Sequence, residues 1–174
     1  MKTINLTQGF VTQVDDWNYD WLNQWKWCLS RDKNNFYAVR WENGKYIAMH
    51  RLIMHTPEGM QIDHQDRDGL NNQEHNLRNA TKSQNAKNKK AIGESKYLGV
   101  SIEKFYYKKI NGKTSKRLRR FHKFIAVIKY DGKKHHIGRF DTEIEAAKAY
   151  DVEAKKHHGE FANLNFKQSN NLII

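Results

Sequence analysis

Hydrophobic and polar positions alternate in short runs through most of the chain, and turn residues interrupt the runs at close intervals. Phe10-Val11-Thr12-Gln13-Val14 has the period of two that predicts a strand. Asp15 or Asp16 then stands where a helix N-cap would, with Trp17 and Trp21 four apart behind it, so a short helix through Leu22 is expected. Trp25–Leu29 and Phe36–Trp41 predict two strands on either side of the polar turn Arg31–Asn35. Asn43-Gly44 is a tight-hairpin signal and returns the chain through Tyr46-Ile47-Ala48-Met49. His50–Met54 predicts a short helix, closed by Pro57 because the residue before a proline avoids the α region. Trp17, Trp21, Trp25 and Trp27 are expected to fill the core of a small module, with base stacking as the alternative. His50 is expected to pack rather than to ligate.

From Met60 the pattern changes. Met60-Gln61-Ile62-Asp63 alternates into Asp63-His64, and Asp66–Asn72 is dense in residues whose side chains close turns on their own backbone. Arg78–Thr81 can return as the second strand of a hairpin, and Ser83 is the expected N-cap of a helix running through Asn85 and Asn88 to about Lys90. Beyond a boundary at Ala91–Ser95, three strands are predicted over Tyr97–Ile110, Thr114–Tyr130 and Lys133–Phe140, with turns at Asn111-Gly112 and Asp131-Gly132. Thr142 and Glu145 form a capping box for a final helix, whose inner face is Ile144, Ala147, Tyr150 or Asp151, and Ala154, with Gly159 as its stop.

Charge sharpens this outline. The 174 residues carry a formal net charge of +12. Between Lys82 and Lys134 there are 17 Lys and Arg against 3 Asp and Glu, so this block carries the whole excess. A polyanion is the partner such a block fits, because neutralised phosphates release condensed counterions. Lys87, Lys89 and Lys90 behind the Met60–Lys90 stretch, and Arg117, Arg119 and Arg120 in what reads as a reaching β-ribbon, are the candidate phosphate contacts. Cys28 is the only cysteine, which excludes an internal disulfide and a cysteine-based zinc site and suits a reducing, intracellular setting. No apolar run reaches membrane-spanning length, and the N-terminal MKTINLTQGF has no signal-peptide core.

Phosphodiester hydrolysis needs a base for water and positive charge for the developing oxyanion. His64 has the ordinary pKa of a base near neutrality. Asp63 offers a carboxylate and Asn85 an amide oxygen, ligands that a hard cation prefers. In a regular strand Asp63 and His64 point to opposite faces, so the chain must bend if both serve one phosphate.

Asp63-His64, Asn76-Leu77 and Asn85 together resemble the HNH endonuclease motif, and most closely its phage and intron-encoded branch; Met49–Met54 and Leu6–Gly9 are also similar to segments of phage members. The resemblance implies a ββα-metal module with His64 as general base, Asn76 as the middle Asn that braces the loop of the catalytic set, and Asp63 and Asn85 as metal ligands. Asn in place of the more common final His implies Mg²⁺ or Mn²⁺ rather than zinc.

The second half resembles the plant Apetala-two (ethylene-response-factor) DNA-binding domain over 95–166, through Tyr97-Leu98-Gly99-Val100, Lys123–Ile128, Ile137–Thr142, Glu145–Asp151 and Ala162–Phe166. That family reads the major groove with the face of its sheet. The resemblance carries Lys123, Lys129, Lys134 and Tyr150 over as DNA contacts. His136 falls on the same surface in place of a typical contact residue, as do Leu98, Ser101, Glu103 and Val127, so the plant target sequence does not transfer.

The expectation is therefore an α+β protein: an HNH domain over 1–90 with its site motif at 60–90, a basic linker over 91–96, a three-stranded antiparallel sheet packed on one helix over 97–166, and a tail over 167–174. Its expected activity is site-preferring cleavage of double-stranded DNA with a single divalent metal, by a homing or mobile-element enzyme that acts as a monomer, a dimer being the alternative. A catalytically inactive DNA-binding regulator and an RNA-directed nuclease are the competing readings.

Overall fold

The computed structural model describes residues 1–32, 35–89, 91, 93–103, 109–110, 113–114 and 124–166. The chain divides into two compact units, Met1–Asn88 and Lys89–Ile174.

The first unit is a set of small antiparallel sheets around one apolar cluster. β1 (Lys2–Asn5) pairs with β2 (Val11–Val14) across a short turn in which Gln8 and Gly9 both take positive φ. β1 was not expected from the sequence. α1 (Asp16–Leu22) follows, with Asp15 in the N-cap position. Asp15 makes no cap bond; its carboxylate instead accepts from Glu74 N at 2.7 Å and Gln73 Nε2 at 3.3 Å.

The next sheet is β3 (Cys28–Asp32), β4 (Asn35–Glu42) and β5 (Lys45–Ala48). Its β4–β5 turn uses positive φ at both Asn43 and Gly44, the pair of angles that matches the twist of a two-residue hairpin. α2 (Met49–Ile53) leads to the hairpin of β6 (Gln61–His64) and β7 (Leu77–Ala80), and then to the four-residue α3 (Lys82–Asn85).

Ile4, Leu6, Val14, Leu22, Trp27 and Met49 form the centre of the core. Trp27 is 1% exposed, and its indole N–H donates to Leu22 O at 2.8 Å, so its one polar atom is satisfied inside. The buried Arg40 guanidinium lies 4.4 Å over Trp25 and pairs with Glu42 at 2.9 Å. The expectation that Trp17 joins this core is corrected. It is 68% exposed, and its indole N–H donates to Glu74 Oε1 at 2.9 Å, while Trp21 one turn on packs against the core.

In the second unit β8 (Val100–Ile102), β11 (Phe124–Tyr130) and β12 (Lys133–Phe140) form an antiparallel sheet in the order β12-β11-β8. Between β8 and β11 lies a separate two-residue pair, β9 (Lys109–Ile110) with β10 (Lys113–Thr114). The first strand is shorter than the expected Tyr97–Ile110. Gly99 takes φ +70, and a Cβ there would stand 2.0 Å from the Tyr150 ring, so the extended chain begins only at Val100.

α4 (Glu143–His158) has the expected Thr142–Glu145 capping box and stops at Gly159, φ +56. It lays Ala146, Ala147, Tyr150 and Ala154 against Val100, Ala126 and Ile128. Ile144 was expected on that inner face, but it is 49% exposed; the buried stripe passes through Ala146 instead.

A β-bulge sets the faces of this sheet. Ala126 pairs with Gly138, but Val127 pairs with His136, so Ile137 is an extra residue on β12. Ile137 packs toward the helix side, while Lys134, His136 and Arg139 all stay exposed on the other side, opposite Lys129, Val127 and Ile125.

Candidate active site

The β6–β7 hairpin brings Asp63 opposite Arg78 and His64 opposite Leu77. Asp63 is 2% exposed and His64 is 6% exposed. Asp63 Oδ2 accepts from Arg78 Nε at 2.8 Å and Nη2 at 2.6 Å. Its Oδ1 accepts from Asn88 Nδ2 at 2.8 Å, and the same amide reaches His64 O at 2.8 Å. The carboxylate is thus buried, and a guanidinium and an amide satisfy both of its oxygens.

His64 faces a different set of groups. Its Nε2 lies 3.3 Å from Asn72 Oδ1, and its ring meets the rings of His50 and Tyr37 at centroid distances of 5.2 and 5.9 Å. Burial pushes its pKa below the ordinary histidine value, against the pull of the Asn72 bond and of Asp66, Asp63 and Asp68. The imidazole is therefore neutral near pH 7, the state a proton acceptor needs. His50 is pushed down to about 3, first by burial and then by His64 and Arg51, so it packs as a neutral ring as expected.

Asn76 is buried in the loop. Its Nδ2 donates to Asp66 Oδ1 and Asn71 O, both at 2.9 Å, and its Oδ1 accepts from Asp66 N at 3.0 Å. It ties the two ends of the turn together and makes no bond to His64 or Asp63. Asp66 is held below the usual carboxylate range: burial works against this, but bonds from Asp68 N, Asn71 and Asn76 outweigh it.

The helix behind the hairpin starts two residues earlier than expected. Thr81, not Ser83, is the N-cap; its hydroxyl accepts from Gln84 N at 3.2 Å while Gln84 Oε1 accepts from Thr81 N at 2.8 Å. The helix also ends at Asn85 instead of running to about Lys90. Tight turns follow, with Lys87 N on Gln84 O at 2.9 Å and Asn88 N on Asn85 O at 3.2 Å. They bring Asn88 back onto Asp63, whereas the Asn85 amide donates to Gln61 Oε1 at 3.0 Å. Asn85 and Asp63 are not in contact through these bonds, and the amide beside the carboxylate is that of Asn88.

Among the candidate DNA contacts, Lys87 is half-buried and Lys89 exposed, while Lys129, Lys134 and His136 are exposed on the open side of the second unit's sheet. Tyr150 is corrected: it is 8% exposed beneath that sheet, packed with Ile128 and Ala154 over Gly99. Lys90, Arg117, Arg119, Arg120 and Lys123, and with them the reaching ribbon, lie outside the described residues. Two further cations stand beside these groups: Arg139, on the open sheet face and 3.4 Å from Glu103, and Arg78, whose signal in the sequence is the hairpin register that sets it opposite Asp63.

A model of the HNH endonuclease family (HNH_3) matches residues 48–87. Over 162 residues the chain is 32% identical to an uncharacterized HNH endonuclease of Acanthamoeba polyphaga mimivirus, covering 90% of this chain and 73% of that protein. The chain belongs to the HNH endonuclease family. By family it is a nuclease, and the matched HNH segment contains Asp63, His64, Asn76 and Asn85. No solved structure matches this HNH protein. None of its helices among the described residues is long and apolar enough to cross a membrane.

Proposed function

We propose that this chain is a metal-dependent, site-preferring endonuclease acting on double-stranded DNA, with His64 as general base and Asp63 as a metal ligand in a ββα-metal arrangement. The observation that carries the reading is the pairing of a buried, neutral imidazole with a buried carboxylate at adjacent positions of one hairpin strand.

The donor set fits a hard divalent ion. Among the described residues no three His, Cys, Asp or Glu side chains form a metal-binding group. A site here rests on one carboxylate, carboxamide oxygens and water, which suits Mg²⁺ or Mn²⁺ rather than zinc. Asp63 would hold the ion together with the carboxamide oxygen of Asn85, while Asn88, whose NH₂ donates to Asp63 Oδ1 and His64 O, would steady the carboxylate. When bound, such an ion supplies positive charge to the phosphate and the leaving oxygen. Arg78 fixes the Asp63 carboxylate with two hydrogen bonds. His64 takes the proton of the attacking water, and Asn76 keeps the loop beside it closed.

Site preference is assigned to the second unit, read as an Apetala-two-like module. Its open sheet face carries Lys129, Lys134, His136 and Arg139, a basic surface suited to duplex phosphates. A homing or mobile-element role is in keeping with a viral relative.

The test is His64→Ala on a supercoiled plasmid with Mg²⁺. Loss of a general base is expected to reduce cleavage by about 10²–10⁴-fold while duplex binding persists. Unchanged turnover would remove His64 from the mechanism.

A further inference from the structure

Two side chains behind His64 form a directed relay. The Thr12 hydroxyl lies 2.7 Å from Leu70 O, a carbonyl that can only accept, so the single hydroxyl proton goes there. Thr12 Oγ1 then has only lone pairs to offer to Asn72, which stands 2.7 Å away and must present its NH₂ group. That fixes the amide: Asn72 Oδ1 is turned to His64 Nε2 at 3.3 Å and can only accept from it. A neutral His64 is thereby placed in the Nε2–H tautomer, with the basic lone pair on Nδ1. Both Thr12 and Asn72 are 0% exposed, so solvent does not compete for these bonds. The backbone repeats the connection: Asn72 N donates to Gln13 O, and Gln13 N to Leu70 O, each at 2.8 Å.

We propose that Asn72 and Thr12 are positioning residues for the cleavage reaction, which set the tautomer of His64 so that Nδ1 is the atom that accepts the proton of water. The proposal rests on the reading of His64 as general base. Thr12 lies outside the segment matched by the family model, and it reaches the site from a strand of the N-terminal hairpin. Its role follows from bond direction rather than from position in a motif. Without the hydroxyl the Asn72 amide is free to turn over, present its NH₂ to Nε2, and move the imidazole proton to Nδ1. Errors of this type are costly: a wrong histidine tautomer in a serine-protease triad lowers turnover by about 10⁴-fold.

The experiment has a spectroscopic arm and a kinetic arm, both on the full chain. At pH about 8, where neutral imidazole dominates, long-range ¹H–¹⁵N correlation spectra of the metal-free protein report which His64 nitrogen carries the proton. His64→Ala supplies the assignment. The expected result is a protonated Nε2 and an unprotonated Nδ1. A wild-type spectrum dominated by Nδ1–H overturns the proposal whether or not the chain cleaves DNA.

Thr12→Val removes the hydroxyl at nearly constant shape, and Thr12→Ser keeps it. In Thr12→Val the Nδ1–H form should grow and kcat should fall about tenfold or more, with KM for duplex DNA unchanged; Thr12→Ser should restore both. A Thr12→Val protein that folds, keeps the wild-type tautomer and loses nothing in kcat overturns the proposal. Should that variant not fold, the wild-type spectrum still decides. If His64→Ala continues to cleave while the spectrum shows Nε2–H, the general-base reading fails and the tautomer assignment stands as a structural fact only.

Discussion

Replacing Arg78 by Met should destabilise the first unit severely, and it should do so through charge. The Asp63 carboxylate is 2% exposed and, among the described residues, receives two hydrogen bonds from Arg78, at 2.8 and 2.6 Å, and one from Asn88. Met keeps most of the aliphatic stem and its packing but leaves the buried carboxylate, among the described residues, with the Asn88 amide. Removing one member of a buried pair costs about 3–5 kcal/mol. For a unit of 88 residues, each kcal/mol moves the melting point by about 4–8 °C, so the expected shift is roughly 12–40 °C. All five tryptophans lie at or before Trp41, so tryptophan fluorescence during a melt in EDTA reads this unit selectively. Adding Asp63→Asn to Arg78→Met removes the stranded charge and should return a large part of the loss. An Arg78→Met protein within about 1 kcal/mol of wild type, the range of an exposed ion pair, would refute the reasoning. So would a double variant no more stable than the single one.

Three other outcomes follow from the geometry. Asn88→Ala should weaken Mg²⁺ or Mn²⁺ binding by calorimetry about tenfold or more, because the Asn88 NH₂ holds the Asp63 carboxylate in place; unchanged affinity would take Asn88 out of the support of the site. Gly99→Ala should cost the second unit about 2–5 kcal/mol, since it adds a positive φ penalty to a clash with the Tyr150 ring; circular dichroism melting of the α4 signal measures it, and an unchanged melt would contradict the packing. Lys129→Ala with Lys134→Ala should lower the slope of log K against log salt for duplex binding by about 1.8 if each lysine neutralises one phosphate; an unchanged slope would take this sheet face out of the interface.

What was legible in the sequence was local. The Asn43-Gly44 turn and the Thr142–Glu145 box each follow from residues a few positions apart, the β6–β7 hairpin from the patterns of its two strands and the turn residues between them, and each is present. Where two local signals competed, the reading slipped: Ser83 and Thr81 are both capping residues, and only Thr81 has Gln84 three positions on to complete the box. Trp17 carried no mark of its exposure, because whether a helix turns a tryptophan in or out depends on what packs against it. Asp63, His64 and Asn76 were visible as a motif, but their partners were not. Asn72 meets Thr12 across 60 positions and Glu74 meets Asp15 across 59, contacts set by how separate hairpins stack and by no pattern in either segment. Asn85 takes its place from the motif, and the tight turns after a four-residue helix bring Asn88, not Asn85, onto Asp63.

The extra residue at Ile137 bears on how this sheet can change length. Anywhere else in β12 a one-residue insertion or deletion would turn every later side chain to the opposite face, sending a basic residue such as Arg139 into the alanine-lined core and core residues into water. At Ile137 the count is already one over. Its deletion would let Gly138 and His136 continue the ladder directly, with Lys134, His136 and Arg139 keeping the side they now occupy. A lineage could shorten the strand at this single point at the cost of one core side chain, and keep its basic surface in register.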